Sequence, residues 1–113
     1  DSNSLKRFIM MNEKLPPIEH PIIRTHPETG KKLIFVNEIF TSHITGLNSN
    51  ESDAILQFLY RHIHNPNFQC RFIWQQNSIA FWDNQITQHY AVADYSSLRT
   101  MHRLTVDGTH KPR

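Results

Sequence analysis

Eight histidines in 113 residues make metal coordination the first chemistry to consider. His62 and His64 stand two apart on a predicted helix, so they point to different faces and share no metal. His26-Pro27-Glu28 has the His-x-carboxylate form found in a facial triad, where two histidines and one carboxylate hold iron. Pro27 and Gly30, however, set this tripeptide at a predicted hairpin tip, where ligand side chains are expected to be exposed and unsupported, so no metal is expected there. Arg99 and Arg103 are four residues apart in a predicted strand, which puts them on one face about 13 Å apart. Inside a closed cavity each would have to meet a carboxylate, sulfonate or phosphate; at an open edge both would be hydrated. The pattern alone leaves both readings open.

These residues must be positioned by a small number of elements. Pro21 to Thr25 and Lys32 to Val36 carry β-branched and aromatic residues on either side of His26-Pro27-Glu28-Thr29-Gly30, which predicts a two-stranded ribbon closed by a turn. A helix is expected from about Ser49 to Ile63. Asn48 can cap it, Glu51 completes a capping box, and Ile55, Phe58, Leu59 and Ile63 recur at helical spacing. Asn65-Pro66 stops it. From Gln69 the period changes to two, with Cys70, Phe72 and Trp74 on one face and Arg71 and Ile73 on the other. A turn at Gln76-Asn77-Ser78 leads into a predicted strand at Ile79 to Trp82. The last predicted strand runs from Arg99 to Val106, with Thr100, His102, Leu104 and Val106 as its core face. One helix among several short strands reads as a mainly β protein with a helical insertion.

The bulk numbers narrow the function classes. Length allows one small domain, and 38% hydrophobic residues is below the roughly 45–50% of an ordinary globular domain, which points to an incomplete core. The 12 basic and 10 acidic residues are dispersed, so no electrostatic footprint for nucleic acid is present and any anion site must be local. The single Cys70 forms no internal disulfide, and no apolar run approaches the roughly 20 residues of a membrane helix. No nucleic acid, no membrane and a cytoplasmic location are therefore expected. Lys14-Leu15-Pro16-Pro17 favours an extended path, so residues 1–19 read as a linker or lid and 20–113 as the domain proper.

The run Phe81-Trp82-Asp83-Asn84-Gln85-Ile86-Thr87-Gln88-His89-Tyr90-Ala91, then Asp94-Tyr95 and Arg99-Thr100-Met101-His102-Arg103, resembles the C-terminal signature of the taurine dioxygenase family. The likeness extends upstream through His20-Pro21, Arg24 to Gly30, Val36-Asn37, Phe40-Thr41, the helix and Phe68 to Trp74, and covers residues 20 to 108. Gln85 and Thr100 depart from it, each standing where an arginine is common, and the Val92 to Leu98 loop is a residue shorter than in the taurine enzyme.

The resemblance implies part of a double-stranded β-helix, or jelly roll, incomplete in this chain. It further implies an Fe(II)- and 2-oxoglutarate-dependent dioxygenase in which His89 is the distal metal ligand. The His-x-Asp pair that supplies the other two ligands is expected upstream of Asp1. Arg99 occupies the place of the arginine that holds the far carboxylate of 2-oxoglutarate, and Arg103 that of the arginine that binds the substrate's anionic group. Phe40 matches a phenylalanine packed on substrate, and Trp82 a tryptophan near the iron, while Asp83 and Asn84 shape the turn. The implied reaction consumes O2 and 2-oxoglutarate and hydroxylates a small anionic substrate, a sulfonate such as taurine or an alkyl sulfate. Succinate, CO2, an aldehyde and sulfite or sulfate are its products, and a homo-oligomer is expected. Two alternatives stay open: a non-catalytic anion-binding jelly-roll module, and the same chemistry on a carboxylate or phosphonate.

Overall fold

The computed structural model describes residues 16–106 and 108. Most of the expected linker or lid at 1–19 lies outside the described residues. Strand β1 (Ile23–Thr25) pairs antiparallel with β2 (Lys32–Ile34), in the register Ile23↔Ile34, Arg24↔Leu33 and Thr25↔Lys32. The pairing continues one step further, because Phe35 N–H donates to the Ile22 carbonyl at 2.6 Å. Between the strands, His26 N–H donates to Lys31 O and Gly30 N–H to His26 O, both at 2.9 Å. Gly30 sits at φ 68°, a left-handed conformation that a side chain would strain. The expected ribbon is therefore present.

Helix α1 (Ser49–Ile63) has the expected bounds and the expected cap. Asn48 Oδ1 accepts from Glu51 N–H at 3.0 Å, while the Glu51 carboxylate accepts from Asn48 N–H at 3.2 Å, so two otherwise orphaned donors are satisfied reciprocally. After the helix, Asn65 caps a single 3-10 turn, Pro66–Phe68. The helix buries a different stripe from the one its aliphatic spacing suggests. Ser52, Leu56 and Tyr60 face inward at i, i+4 and i+8, whereas Ile55 and Phe58 are exposed and Leu59 and Ile63 half-buried. Ser52 can be buried because its hydroxyl accepts the Ile44 N–H at 2.9 Å, so a polar residue serves where the chain approaches closely. Val36, Leu56 and Tyr60 form the core, with Ile22, Ile34 and Ile44 packed against it.

Beyond residue 68 the expected architecture is not formed. Gln69 to Trp74, Ile79 to Trp82 and Arg99 to Val106 contain no ladder among the described residues, which are mostly non-helical and hold one two-stranded sheet, one helix and long irregular segments in place of the five or six expected strands. Alternation fixes which side chains share a face, but a strand exists only with a partner, and none of the described segments supplies one. Phe72 and Trp74 do share a face, edge to face at 4.9 Å. Leu104 and Val106, expected to face a core, are 98% and 95% exposed. No helix among the described residues is long and apolar enough to cross a membrane.

Candidate functional site

The candidate site is built on the stretch from Trp82 to His89, and its geometry begins with a turn. Asp83 organises that turn. Its Oδ1 accepts the Gln85 N–H at 2.8 Å, and its carbonyl accepts from the Thr87 N–H at 3.1 Å and the Thr87 hydroxyl at 2.6 Å. Trp82 Nε1–H donates to Asn84 Oδ1 at 3.1 Å, which fixes the indole. The Trp82 ring then lies 5.0 Å from the His89 ring, tilted by 55°. His89 is exposed, and no hydrogen bond engages its ring among the described residues.

The turn is fastened to the ribbon by its second carboxylate oxygen. Asp83 Oδ2 accepts from His26 Nε2 at 2.8 Å, across 57 residues of sequence. The other ring nitrogen, Nδ1, accepts from Glu28 N–H at 3.2 Å and Thr29 N–H at 3.1 Å. Those two donors require an unprotonated Nδ1, which assigns the hydrogen to Nε2 and makes His26 the donor to Asp83. The His26 hydrogen bond, aided by the Gln85 N–H, holds the Asp83 carboxyl below its ordinary value. His26 is thus buried and committed at both nitrogens, not exposed at a hairpin tip as its sequence position suggests. Both imidazole nitrogens of His26 are engaged by hydrogen bonds, Nε2 with Asp83 and Nδ1 with the Glu28 and Thr29 N–H groups.

Arg24 runs beside this bond. It is buried, its guanidinium lies 4.7 Å over the Phe35 ring, and Nη2 donates to Gln85 Oε1 at 3.1 Å. Its Nε has no partner among the described residues. Gln85 thus gives a buried cation a neutral acceptor. A shallow cavity opens on this side of the molecule, lined by His26, Lys31, Lys32 and Asp83 among others, but none of His89, Arg99 and Arg103 reaches it.

The two arginines stand apart from any ladder. Arg99 and Arg103 are both exposed, and the expected common strand face is absent with the strand itself. The Arg99 guanidinium stacks 4.6 Å over the Tyr95 ring, and neither arginine has a carboxylate partner among the described residues. Asp94, one residue before Tyr95, pairs with Arg71 and so ties this segment back to residues 69–74. Phe40 is 73% exposed, on a turn whose backbone is capped by Asn37. The structure thus brings Trp82 to His89 and leaves Phe40, Arg99 and Arg103 as exposed groups.

The donor set for a metal can be tested directly. No group of three or more His, Cys, Asp or Glu is placed to hold an ion among the described residues. His89 fits such a site in type, as an exposed imidazole with an uncommitted ring, and the set is incomplete in number.

Comparison with known proteins decides the family. A family model described as "Taurine catabolism dioxygenase TauD, TfdA family" matches residues 7–105. The chain belongs to this family. A putative alpha-ketoglutarate-dependent sulfonate dioxygenase of Schizosaccharomyces pombe is 48% identical over 77 residues, covering 67% of this chain and 20% of the relative. An alkylsulfatase of Acinetobacter baylyi is 36% identical over 91 residues, covering 80% and 28%. An alpha-ketoglutarate-dependent sulfonate dioxygenase of Saccharomyces cerevisiae is 39% identical over 77 residues, covering 67% and 19%. The chain therefore spans between about a fifth and under a third of the length of these TauD/TfdA relatives.

Sequence reasoning missed the group that holds the site loop: His26, Asn37 and Gln88. For His26 and Asn37 the available signal was local: a histidine two and three residues before turn N–H groups can cap them, and Asn37 can likewise cap the N–H groups of Ile39 and Phe40.

Proposed function

We propose that this chain is the C-terminal part of an Fe(II)- and 2-oxoglutarate-dependent dioxygenase that hydroxylates a small sulfonate or sulfate ester. The observation that carries the reading is His89, with its uncommitted ring against Trp82, inside a matched signature that continues to two arginines without carboxylate partners among the described residues. The names of the relatives support the substrate class. When bound, iron with 2-oxoglutarate and O2 supplies the oxidising power for hydroxylation, and succinate and CO2 are released.

Each residue of this chain then has one task. His89 offers a nitrogen lone pair as one of three protein ligands, and the other two come from residues outside this chain. Arg99 leaves Tyr95 or remains stacked on it while its fork pairs with the far carboxylate of 2-oxoglutarate, where bidentate geometry favours arginine over lysine. Arg103 orients the substrate's anionic head, and Phe40 covers its apolar part, which together hold the reacting C–H bond in place. In the whole protein the uncovered face at Leu104 and Val106 packs into a jelly roll. Hydroxylation next to sulfur or sulfate oxygen gives an unstable product that breaks down to an aldehyde and sulfite or sulfate.

Succinate formation by the full-length protein with taurine, an alkyl sulfate and 2,4-dichlorophenoxyacetate tests this reading. The sulfur compounds are expected to give the greatest substrate-dependent turnover. Preference for the carboxylate would move the substrate class, and binding of anions without any 2-oxoglutarate turnover would favour a non-catalytic module.

A further inference from the structure

The loop before His89 has no strand ladder to hold it among the described residues, so its position depends on side-chain bonds to the ribbon. Two of these converge on Gln88, the residue adjacent to His89. Gln88 Nε2 donates to the Val36 carbonyl at 2.6 Å, and Gln88 Oε1 accepts from Asn37 Nδ2 at 3.1 Å. Val36 belongs to the buried core, so Gln88 is anchored to the backbone of a core residue.

Asn37 uses its other end on the turn that carries Phe40. Its Oδ1 accepts from Ile39 N–H at 2.9 Å and Phe40 N–H at 3.3 Å, and its own N–H donates to Thr41 Oγ1 at 2.9 Å. One carboxamide thus grips the Phe40 turn through oxygen and the His89 loop through nitrogen. Both functions need an amide, because a carboxylate at this position keeps the acceptor and loses the donor.

We propose that Asn37 and Gln88 are positioning residues that fix Phe40 relative to His89 and so set where a bound substrate lies against the metal. The functional meaning rests on the proposed role of His89, while the bridge itself does not. A misplacement of about 1 Å in such a site costs on the order of a hundredfold in rate, so a half-buried Asn37 and an exposed Gln88 can matter to chemistry without dominating stability.

The test uses the full-length protein with Asn37→Asp, Gln88→Glu and the double variant Asn37→Asp/Gln88→Lys, in which the introduced ammonium can donate both to the introduced carboxylate and to the Val36 carbonyl. Amide hydrogen exchange is measured on metal-free protein. Each single variant is expected to raise exchange in residues 37–41 and 83–90 by about fivefold, the effect of one lost hydrogen bond, with α1 unchanged and the double variant restored. The second readout is hydroxylated product formed per succinate released with taurine or an alkyl sulfate, which should fall in both single variants and recover in the double. Unchanged exchange, or exchange raised equally in α1, overturns the bridge. Raised loop exchange with an unchanged product ratio overturns the positioning role. Retained iron-dependent turnover in His89→Ala would instead remove the role of His89 and leave the exchange result standing, so the two failures are distinguishable.

Discussion

Residues 16–68 and residues 69–106 follow different physical rules. The first region closes on itself: a registered ribbon, a helix with a reciprocal cap, and a small core of Val36, Leu56 and Tyr60. The second holds His89, Arg99 and Arg103, forms no ladder among the described residues, and leaves Leu98, Leu104 and Val106 almost wholly exposed. A few long-range bonds join them, chiefly Asp83 to His26 and Gln88 to Val36 and Asn37. The proposed chemistry is carried by the region with least structure of its own, and the better-folded region serves as its platform.

The strongest way to break this contrast is to truncate one apolar residue in each region of the full-length protein. Leu56→Ala is expected to cost about 2–5 kcal/mol in denaturant unfolding, because it empties the core. Leu104→Ala is expected to cost a similar amount there, since the proposed jelly roll covers that face. A change below about 0.5 kcal/mol would mean that Leu104 stays exposed, and would remove the jelly-roll proposal.

Arg99→Ala follows in size. Loss of a charge-assisted hydrogen bond is worth about 1.5–3 kcal/mol, so the 2-oxoglutarate requirement should rise by roughly ten- to a hundredfold in steady-state kinetics. An unchanged requirement would return Arg99 to a hydrated residue stacked on Tyr95. Asn48→Ala probes the platform alone and should destabilise by about 1 kcal/mol through the lost cap, without altering the 2-oxoglutarate requirement.

The smallest effect is acid sensitivity at the joint. The Asp83 carboxyl is held below its ordinary value of 3.8, so the folded state favours the ionised form. That contribution is fully present above pH 3.8 and is lost as pH falls through the lowered native value. Asp83→Asn should therefore flatten the dependence of stability on pH in this acid range. An identical slope in parent and variant would show that the His26 contact does not couple to folding.

What can be read in the sequence divides along the same line. The ribbon and helix are legible because their causes are local: Gly30 at a left-handed turn, Asn48 and Glu51 at a cap, Asn65-Pro66 at a stop. The helix face is not, because Ser52 is buried by a bond to Ile44 that no periodicity records. Strands at 69–74 and 99–106 are expected from alternation, which specifies a face and says nothing of a partner. His26 reads as exposed because its partner, Asp83, lies 57 residues away. The site residues come from a long matched signature; the amides Asn37 and Gln88 lie in the same signature, but their bonds span 51 and 52 residues and no local pattern records them.

The central claim is that this chain contributes one metal ligand, His89, to a dioxygenase completed by residues outside it. The direct measurement is Fe(II) binding and 2-oxoglutarate-dependent succinate formation by the full-length protein and its His89→Ala variant. Loss of turnover with weakened Fe(II) binding is the predicted result. Turnover and Fe(II) binding that match the parent would contradict the claim.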